Sequence, residues 1–160
     1  MKAAALCLCA LVLAGCQTQP APVTSGTSER ARFYLESSDE SAVVVTLPRS
    51  GAQFMIGPKP VFTEYDLVDV AITQIEQGKC LVFQFTPAAA RDLKRLTTEN
   101  PGRYLVLKLG DVAFGARRIG QPLVKGNLLM IVETPDDALP ALVDNLNETC
   151  AAVRGAPAQR

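Results

Sequence analysis

Short runs of apolar and β-branched residues predict several strands in the first part of the chain. Three such segments, 32–36, 42–47 and 53–56, are separated by turn-forming residues. Within the second segment the run Val43-Val44-Val45 is β-branched, which suits a buried strand. We therefore expect this strand to lie inside the fold.

The next segment predicts a hairpin. Residues 67–76 alternate, Gln77-Gly78 forms the turn, and residues 80–85 return as a strand. The apolar face of the first strand is expected to hold Val68, Val70 and Ile72. Further strands are expected over 104–109 and 112–119, around the turn Gly110-Asp111, and over 128–132.

Two helices are predicted in the second half. Thr86 followed by Pro87 begins the first, because a hydroxyl caps a helix and proline suits its first position. The last helix is expected to begin in the same way at Thr134-Pro135, with Asp136 and Asp137 where the helix dipole favours acids. Its apolar face is formed by Ala138, Leu142, Leu146, Cys150 and Val153.

This order of elements predicts an α+β fold, a mainly antiparallel sheet with two helices packed on one face, ferredoxin-like in outline. We expect these elements to form one domain over residues 30–154, followed by a disordered tail over residues 155–160.

The first residues have the pattern of an export signal. Lys2 precedes a short apolar stretch, Ala3 to Val12, which is too short to span a bilayer. Leu13-Ala14-Gly15-Cys16 resembles the lipobox of bacterial lipoproteins. That resemblance implies removal of residues 1–15 and acylation of Cys16, which would anchor the protein to a membrane through acyl chains. Gln17 suggests sorting to the outer membrane, with the domain facing the periplasm. Residues 16–29 are polar and contain two prolines, so we expect a disordered tether.

The amino-acid composition excludes several kinds of catalytic site, metal site and partner. The chain has no histidine, which excludes the serine and cysteine triads that depend on it and histidine-based metal sites. Sixteen basic residues balance sixteen acidic ones, so no nucleic-acid partner is indicated. No phosphate-binding or dinucleotide motif is present, and we expect no cofactor, no metal and no catalytic residue.

Two cysteines remain in the mature chain, Cys80 and Cys150. In an oxidising compartment they could form a disulfide, whose loop of about 70 residues would stabilise the fold by about 4 kcal/mol. The alternative is two buried free thiols, and the sequence leaves both open.

Charged clusters have simpler explanations than catalysis. Glu64, Asp66 and Asp69 could form an acid/base pair or a weak cation site, but we interpret them as a solvated loop that enters a strand. Arg91, Lys94 and Arg95 on the first helix could meet anionic lipid or an acidic partner, but we interpret them as the ordinary exposed face of an amphipathic helix.

The pattern from Gly51 to Asn147 resembles the periplasmic head domain of the SecD protein-export subunit. The residues that carry this resemblance are Gly57-Pro58-Lys59-Pro60, Phe83-Gln84-Phe85-Thr86-Pro87, Asn100-Pro101-Gly102-Arg103, Leu105 to Asp111 and Gly115 to Ile119. Arg117 and Asn127 depart from the family pattern, and the transmembrane helices of SecD have no counterpart. The resemblance implies a shared fold and contact with polypeptide, without translocase activity.

Three functions follow as hypotheses. The first is a non-enzymatic lipoprotein that binds protein or peptide, through strand addition or an apolar patch. The others are a structural subunit of an envelope assembly and an enzyme that uses carboxylates alone. For the first, the candidate binding surface consists of Phe54, Met55, Ile56, Phe62 and Tyr65, each of which could instead belong to the core.

Overall fold

The computed structural model describes residues 30–155. Its strands are β1 (Ala31–Leu35), β2 (Val43–Thr46), β3 (Gln53–Ile56), β4 (Leu67–Ile75), β5 (Gly78–Phe85), β6 (Tyr104–Leu109), β7 (Val112–Arg118) and β8 (Asn127–Met130). The helices are α1 (Pro87–Glu99), α2 (Leu139–Gly155) and the 3₁₀ helix Glu64–Asp66. The predicted signal, lipid site and tether fall outside the described residues, as does the tail apart from Gly155, which ends α2.

All strand pairs are antiparallel, which together with the two helices confirms the predicted α+β class. The strands form three groups, β2-β3, β1-β6-β7 and β4-β5-β8. Single bridges join neighbouring groups, Glu36 to Ile56 and Gly115 to Val132. The strands therefore follow one another as β2-β3, β1-β6-β7, β8-β5-β4, with β2 and β4 at the two ends.

The main core lies between the two helices and the sheets. Its centre is aromatic: the ring centroids of Phe33 and Phe83 are 5.1 Å apart, and those of Phe62 and Phe85 are 5.0 Å apart. Both helices contribute their apolar stripes to the same cluster, through Leu93 of α1 and Leu142 and Leu146 of α2. Burial of these side chains is the principal stabilising contribution to the fold.

A second, smaller core occupies the opposite face of β1-β6-β7. Tyr34 and Val106 point into it, whereas Phe33 and Leu107 point into the main core. The β2-β3 hairpin covers this face, and Phe54 of β3 packs on Tyr104 with ring centroids 5.0 Å apart. Strand β6 is buried on both faces, which explains its almost uninterrupted apolar sequence.

The prediction that the valine run forms a buried strand is wrong. The side chains of Val43 and Val44 are 53% and 56% exposed, and Val45 is partly buried against the second core. Among residues 30–155, β2 ends the series of strands and has a neighbouring strand on one side only. Its β-branched residues favour the strand conformation but do not place the strand inside the sheet.

The prediction that Val68, Val70 and Ile72 share the apolar face of β4 is also wrong in part. Leu67 and Val70 are both buried in the main core, although strict alternation would place residues three apart on opposite faces. A register shift between Leu67 and Asp69 accommodates Val68 as an extra residue and restores the inward direction at Val70. Ile72, near the end of the hairpin, is 38% exposed.

Helix α2 begins later than the sequence predicts. Residues 135–138 form a turn, in which the amide of Ala138 donates to the carbonyl of Pro135 at 3.0 Å, and the helix starts at Leu139. Asp136 does not cap the helix; its carboxylate lies 3.8 Å from the ammonium of Lys79. Within residues 30–155, neither helix combines the length and apolar character that crossing a bilayer requires.

Candidate functional site

Strand β2 presents an open row of backbone groups, which we term the β2 edge (Val43–Thr46). The amide of Leu47 donates to the carbonyl of Ala52 at 2.8 Å, so Leu47 and every second residue before it face β3. The amides and carbonyls of Val44 and Thr46 consequently point away from the hairpin. Four backbone hydrogen-bonding groups therefore face outward on this edge.

The side chains beside the β2 edge are apolar and exposed. Val44 lies directly across from Met55 in the hairpin register, and the two are 56% and 46% exposed. The strand contains neither lysine nor proline, the residues that commonly prevent an edge from pairing with another chain. The β2 edge thus combines unsatisfied backbone groups with an adjacent apolar surface.

The strand at the other end, β4, is covered at Val70. Asn147 of α2 accepts a hydrogen bond from the Val70 amide and donates one to the Val70 carbonyl, each at 2.8 Å. The side-chain amide thereby imitates the peptide group of a neighbouring strand. This contact closes the β4 edge at the point where the bulge returns the strand to its register.

The outer edges of the middle group, β1-β6-β7, are covered as well. At β1, the Phe33 amide donates to the Phe62 carbonyl at 2.8 Å. At β7, the Phe114 carbonyl accepts from the Glu133 amide at 2.7 Å.

The inner edges of the two terminal groups are engaged too. At β3, the Met55 carbonyl accepts from the Ser37 amide at 2.9 Å. At β8, the Arg117 guanidinium donates to the Leu129 carbonyl at 2.5 Å. Among strands β1 to β8 within residues 30–155, β2 is therefore the one whose outer edge receives no hydrogen bond from any other element, whereas β4 receives such contacts at Val70 and not at Ile72 or Gln74.

The predicted binding surface divides between core and surface. Ile56 and Phe62 are each 3% exposed and belong to the two cores, so they form no surface. Phe54 is partly buried against Tyr104. Met55 and Tyr65 are exposed, but Tyr65 lies on the 3₁₀ helix rather than on the β2-β3 hairpin. Of the five, Met55 adjoins the β2 edge.

Sequence reasoning missed Val44 and Thr46 as the residues with outward-facing backbone groups. The valine run predicts a buried strand, and a buried strand has no outward-facing backbone groups to offer. The signal that was present is a β-branched run without lysine or proline. Without knowledge of the strand order, that signal does not distinguish an edge from a central strand.

The three carboxylates near the start of β4 are used separately. The Asp66 carboxylate accepts from the Thr63 amide at 2.8 Å, which closes the turn that begins the 3₁₀ helix. Asp69 is exposed. Glu64 is 3% exposed and lies 3.7 Å from the Arg30 guanidinium, so the interpretation as a solvated loop is wrong for this residue. The three do not form an acid/base pair.

The two cysteines are free and buried in this structure. Cys150 belongs to the main core, whereas Cys80 points to the other face of β5 from Leu81 and Phe83. The β4-β5-β8 sheet therefore lies between the two thiol groups. Of the two alternatives that the sequence leaves open, a disulfide or two buried free thiols, the structure has the free thiols. Burial raises the pKa of both thiols, while Arg117 beside Cys80 and Arg154 beside Cys150 oppose that change.

The turn that follows β2 is attached to the rest of the domain by one carboxylate. Glu133 accepts from the backbone amides of Arg49 and Ser50 at 2.8 and 3.0 Å. Burial alone would raise the pKa of Glu133, but hydrogen bonds from Ser50 and Arg49 and the charge of Arg49 lower it overall. This contact holds the C-terminal end of the β2 edge in place.

A shallow groove of about 340 Å³ between α1 and the 3₁₀ helix is a weaker candidate. Among its polar side chains, Asp66 closes the turn at Thr63 and Asp92 pairs with Arg95 at 2.9 Å. Both are thus engaged within the fold. The basic residues Arg91, Lys94 and Arg95 lie on the exposed face of α1.

No family model matches the chain, and no curated protein matches its sequence. Two solved structures resemble its fold. SecDF in its super-membrane-facing form has a TM-score of 0.61 and 18% identity over 76% of this chain. SecDF described as a membrane component that enhances protein export has a TM-score of 0.58 and 17% identity over 74%. This chain spans 19% and 62% of those two chains, and the similarity shows a SecD-like head fold.

Proposed function

We propose that this protein is a membrane-anchored envelope lipoprotein whose periplasmic domain binds extended polypeptide by strand addition at the β2 edge. The observation that carries the proposal is the outward direction of the Val44 and Thr46 backbone groups on a strand that has no outer neighbour in the described part of the chain. An added strand would satisfy these groups and place alternate side chains over Val44 and Met55.

Binding rather than catalysis is the chemistry that this edge supports. Its groups are backbone amides and carbonyls together with valine, threonine and methionine side chains. They offer hydrogen bonds and apolar contact, which recognise the shape of an extended chain more than its sequence. The fold similarity to SecDF agrees with contact with polypeptide, and the proposal includes no translocase activity.

The membrane anchor rests on the sequence around Cys16. We propose that its acyl chains hold the protein at the outer membrane, with the domain on the periplasmic side. A Cys16→Ala variant should lose incorporation of labelled palmitate and leave the membrane fraction or remain unprocessed. Mature Cys16→Ala protein that stayed membrane-bound would contradict the anchor.

The binding proposal can be tested by photo-crosslinking in living cells. A photoreactive residue is placed at Thr46 or Met55, beside the β2 edge, and at Tyr65 as an exposed control away from it. Crosslinked products are expected from the first two positions. A broad range of products would indicate many polypeptide clients, whereas one discrete product would favour the role of a structural subunit.

A second variant shows whether the products depend on strand addition. Val44→Pro removes an amide that points outward and leaves the hydrogen bonds to β3 in place. With a probe at Met55, we expect Val44→Pro to reduce crosslinking about ten-fold, while the matched Val44→Thr variant retains it. Equal thermal stability of the two variants excludes a folding defect. Undiminished crosslinking in folded Val44→Pro would refute strand addition.

A further inference from the structure

We infer that the β2 edge is self-complementary and that two copies of this chain pair through it, antiparallel, when no client occupies it. The inference rests on the proposed function in one respect, namely that client and second copy use the same edge. It follows from the direction of the backbone groups, the absence of charge on the strand and the placement of charges at its two ends.

The backbone groups specify one register. Val44 and Thr46 have outward amides and carbonyls, whereas the amide of Ala42 donates to Asp39 within a turn. Pairing of Val44 with Thr46 of the second copy therefore satisfies all four outward groups of each strand. In this register the two-fold axis passes beside Val45, so the same surface serves both copies.

The side chains favour this pairing. Residues 43–46 carry no charge, so no like charges meet across the two-fold axis. In the paired sheet β3-β2-β2-β3, Val44 and Met55 of both copies would join into one apolar face. Side chains that are about half exposed in the single chain would thereby lose contact with water.

The ends of the strand carry opposite charges. Asp39 and Glu40 lie in the turn before β2, and Arg49 lies in the turn after it, all of them exposed. Antiparallel pairing brings the acidic turn of each copy to the basic turn of the other, twice by symmetry. A parallel arrangement would instead place acid beside acid and base beside base.

The small area that this pairing buries favours pairing at the membrane surface over pairing in dilute solution. A four-residue edge buries well under the roughly 800 Å² per partner that stable interfaces commonly bury. Pairing should consequently be weak in dilute solution. The lipid anchor proposed at Cys16 would confine the copies to one surface, which raises their effective concentration.

Disulfide crosslinking in membranes tests the register. Lipidated full-length chains carrying Val44→Cys and Thr46→Cys, with different tags, are co-expressed, and isolated membranes are oxidised. We expect mixed dimers to form at least about ten-fold faster than Val44→Cys homodimers, because Val44 would face Thr46 and not itself. The parent chain, with Cys80 and Cys150 buried, and a Tyr65→Cys chain serve as controls. Equal mixed and homotypic rates, or no mixed dimer, would overturn the inference.

Charge exchange provides an independent readout. Arg49→Glu in all chains should slow mixed crosslinking about three-fold, the range expected for exposed ion pairs, and adding Glu40→Arg should restore it. Slowing without restoration would argue against pairing of the two turns.

The two proposals fail differently. Loss of client crosslinking in Val44→Pro without selective mixed dimers would leave strand addition standing and remove self-pairing. Selective mixed dimers with client crosslinking unaffected by Val44→Pro would support self-pairing and remove the proposed client site.

Discussion

The side chain of Asn147 hydrogen-bonds both backbone groups of Val70, 77 positions away in the sequence, with two contacts of 2.8 Å. Asn147 therefore does two things at once. It attaches α2 to β4, and it occupies the outward backbone groups of Val70 on the strand at one end of the series. The contrast with β2, whose outward groups have no such cover among residues 30–155, is the basis of the functional proposal.

Replacing Asn147 should destabilise the domain. Asn147→Ala removes two hydrogen bonds and leaves the Val70 groups unpaired, so we expect a loss of about 2 kcal/mol in the free energy of unfolding. Urea denaturation measures it, and amide exchange at Val70 should accelerate. Asn145→Ala, at an exposed position of the same helix, is the control. Equal effects of the two substitutions would show that the contact with Val70 adds nothing.

Gly115 should not tolerate a side chain. A Cβ atom there would lie 2.5 Å from the Ile131 carbonyl oxygen, at the bridge that joins β7 to the segment after β8. Gly115→Ala should therefore force the two sheets apart and cost about 1–3 kcal/mol of stability. Gly120→Ala is the matched control, because nothing lies within 4 Å of its added Cβ. The measurement is again urea denaturation, and a neutral Gly115→Ala would contradict the close approach.

The contribution of Glu133 to stability should depend on pH. Hydrogen bonds from Ser50 and Arg49 outweigh the effect of burial and hold the pKa of the folded state below the ordinary value. The stabilisation is therefore complete above the unfolded-state pKa and disappears as the pH falls through the lower, folded-state pKa. Glu133→Gln should be less stable than the parent at pH 7, and the difference should vanish in acid.

Stability curves for the parent and Glu133→Gln between about pH 7 and pH 3 test this dependence. Glu76→Gln, an exposed residue in the β4-β5 turn, should show no such difference. A difference between Glu133→Gln and the parent that stayed constant across the range would indicate that charge on Glu133 is not involved. The protection of the Arg49 and Ser50 amides, measured against the intrinsic exchange rate at each pH, should fall in acid, since their acceptor becomes protonated.

The buried thiols should be unreactive in the folded protein. Burial raises the pKa of Cys80 and of Cys150, which reduces the thiolate fraction, and it also blocks access of reagents. With an alkylating reagent at pH 7.4, mass spectrometry should find neither thiol modified until the protein is unfolded, and then both without prior reduction. Modification that required a reductant would reveal a disulfide in the protein as isolated.

Local sequence signals were sufficient for most elements. Thr86 caps α1 as predicted, its hydroxyl accepting from the Ala89 amide at 3.2 Å, because a cap depends on residues within one turn. The strand at 53–56 coincides with β3, and the hairpin turn lies one residue earlier than predicted, at Glu76-Gln77, with Gly78 already in β5. The start of α2 was misplaced, since the ion pair of Asp136 with Lys79 involves a distant residue.

The candidate site shows the limit of such signals. Periodicity indicates which side chains share a face, but it does not specify what covers that face or which strand has an outer neighbour. The sequence leaves Phe62 open between a binding surface and the core, because its core partners, such as Phe85, are far along the chain. The valine run was assigned to the interior because β-branched residues occur in central and edge strands alike.

What the sequence by itself determined about this protein is the α+β class, the succession of strands and helices, and the basis for proposing an export signal with a lipid site at Cys16. These depend on side-chain period, turn chemistry and short motifs, all of which act over a few residues. Only the tertiary structure decided that, among residues 30–155, no element pairs with the outer edge of β2 whereas Asn147 occupies the outward groups of Val70 on β4. The physical reason is that a strand edge is defined by the partner that it has or lacks, and that partner lies elsewhere in the chain.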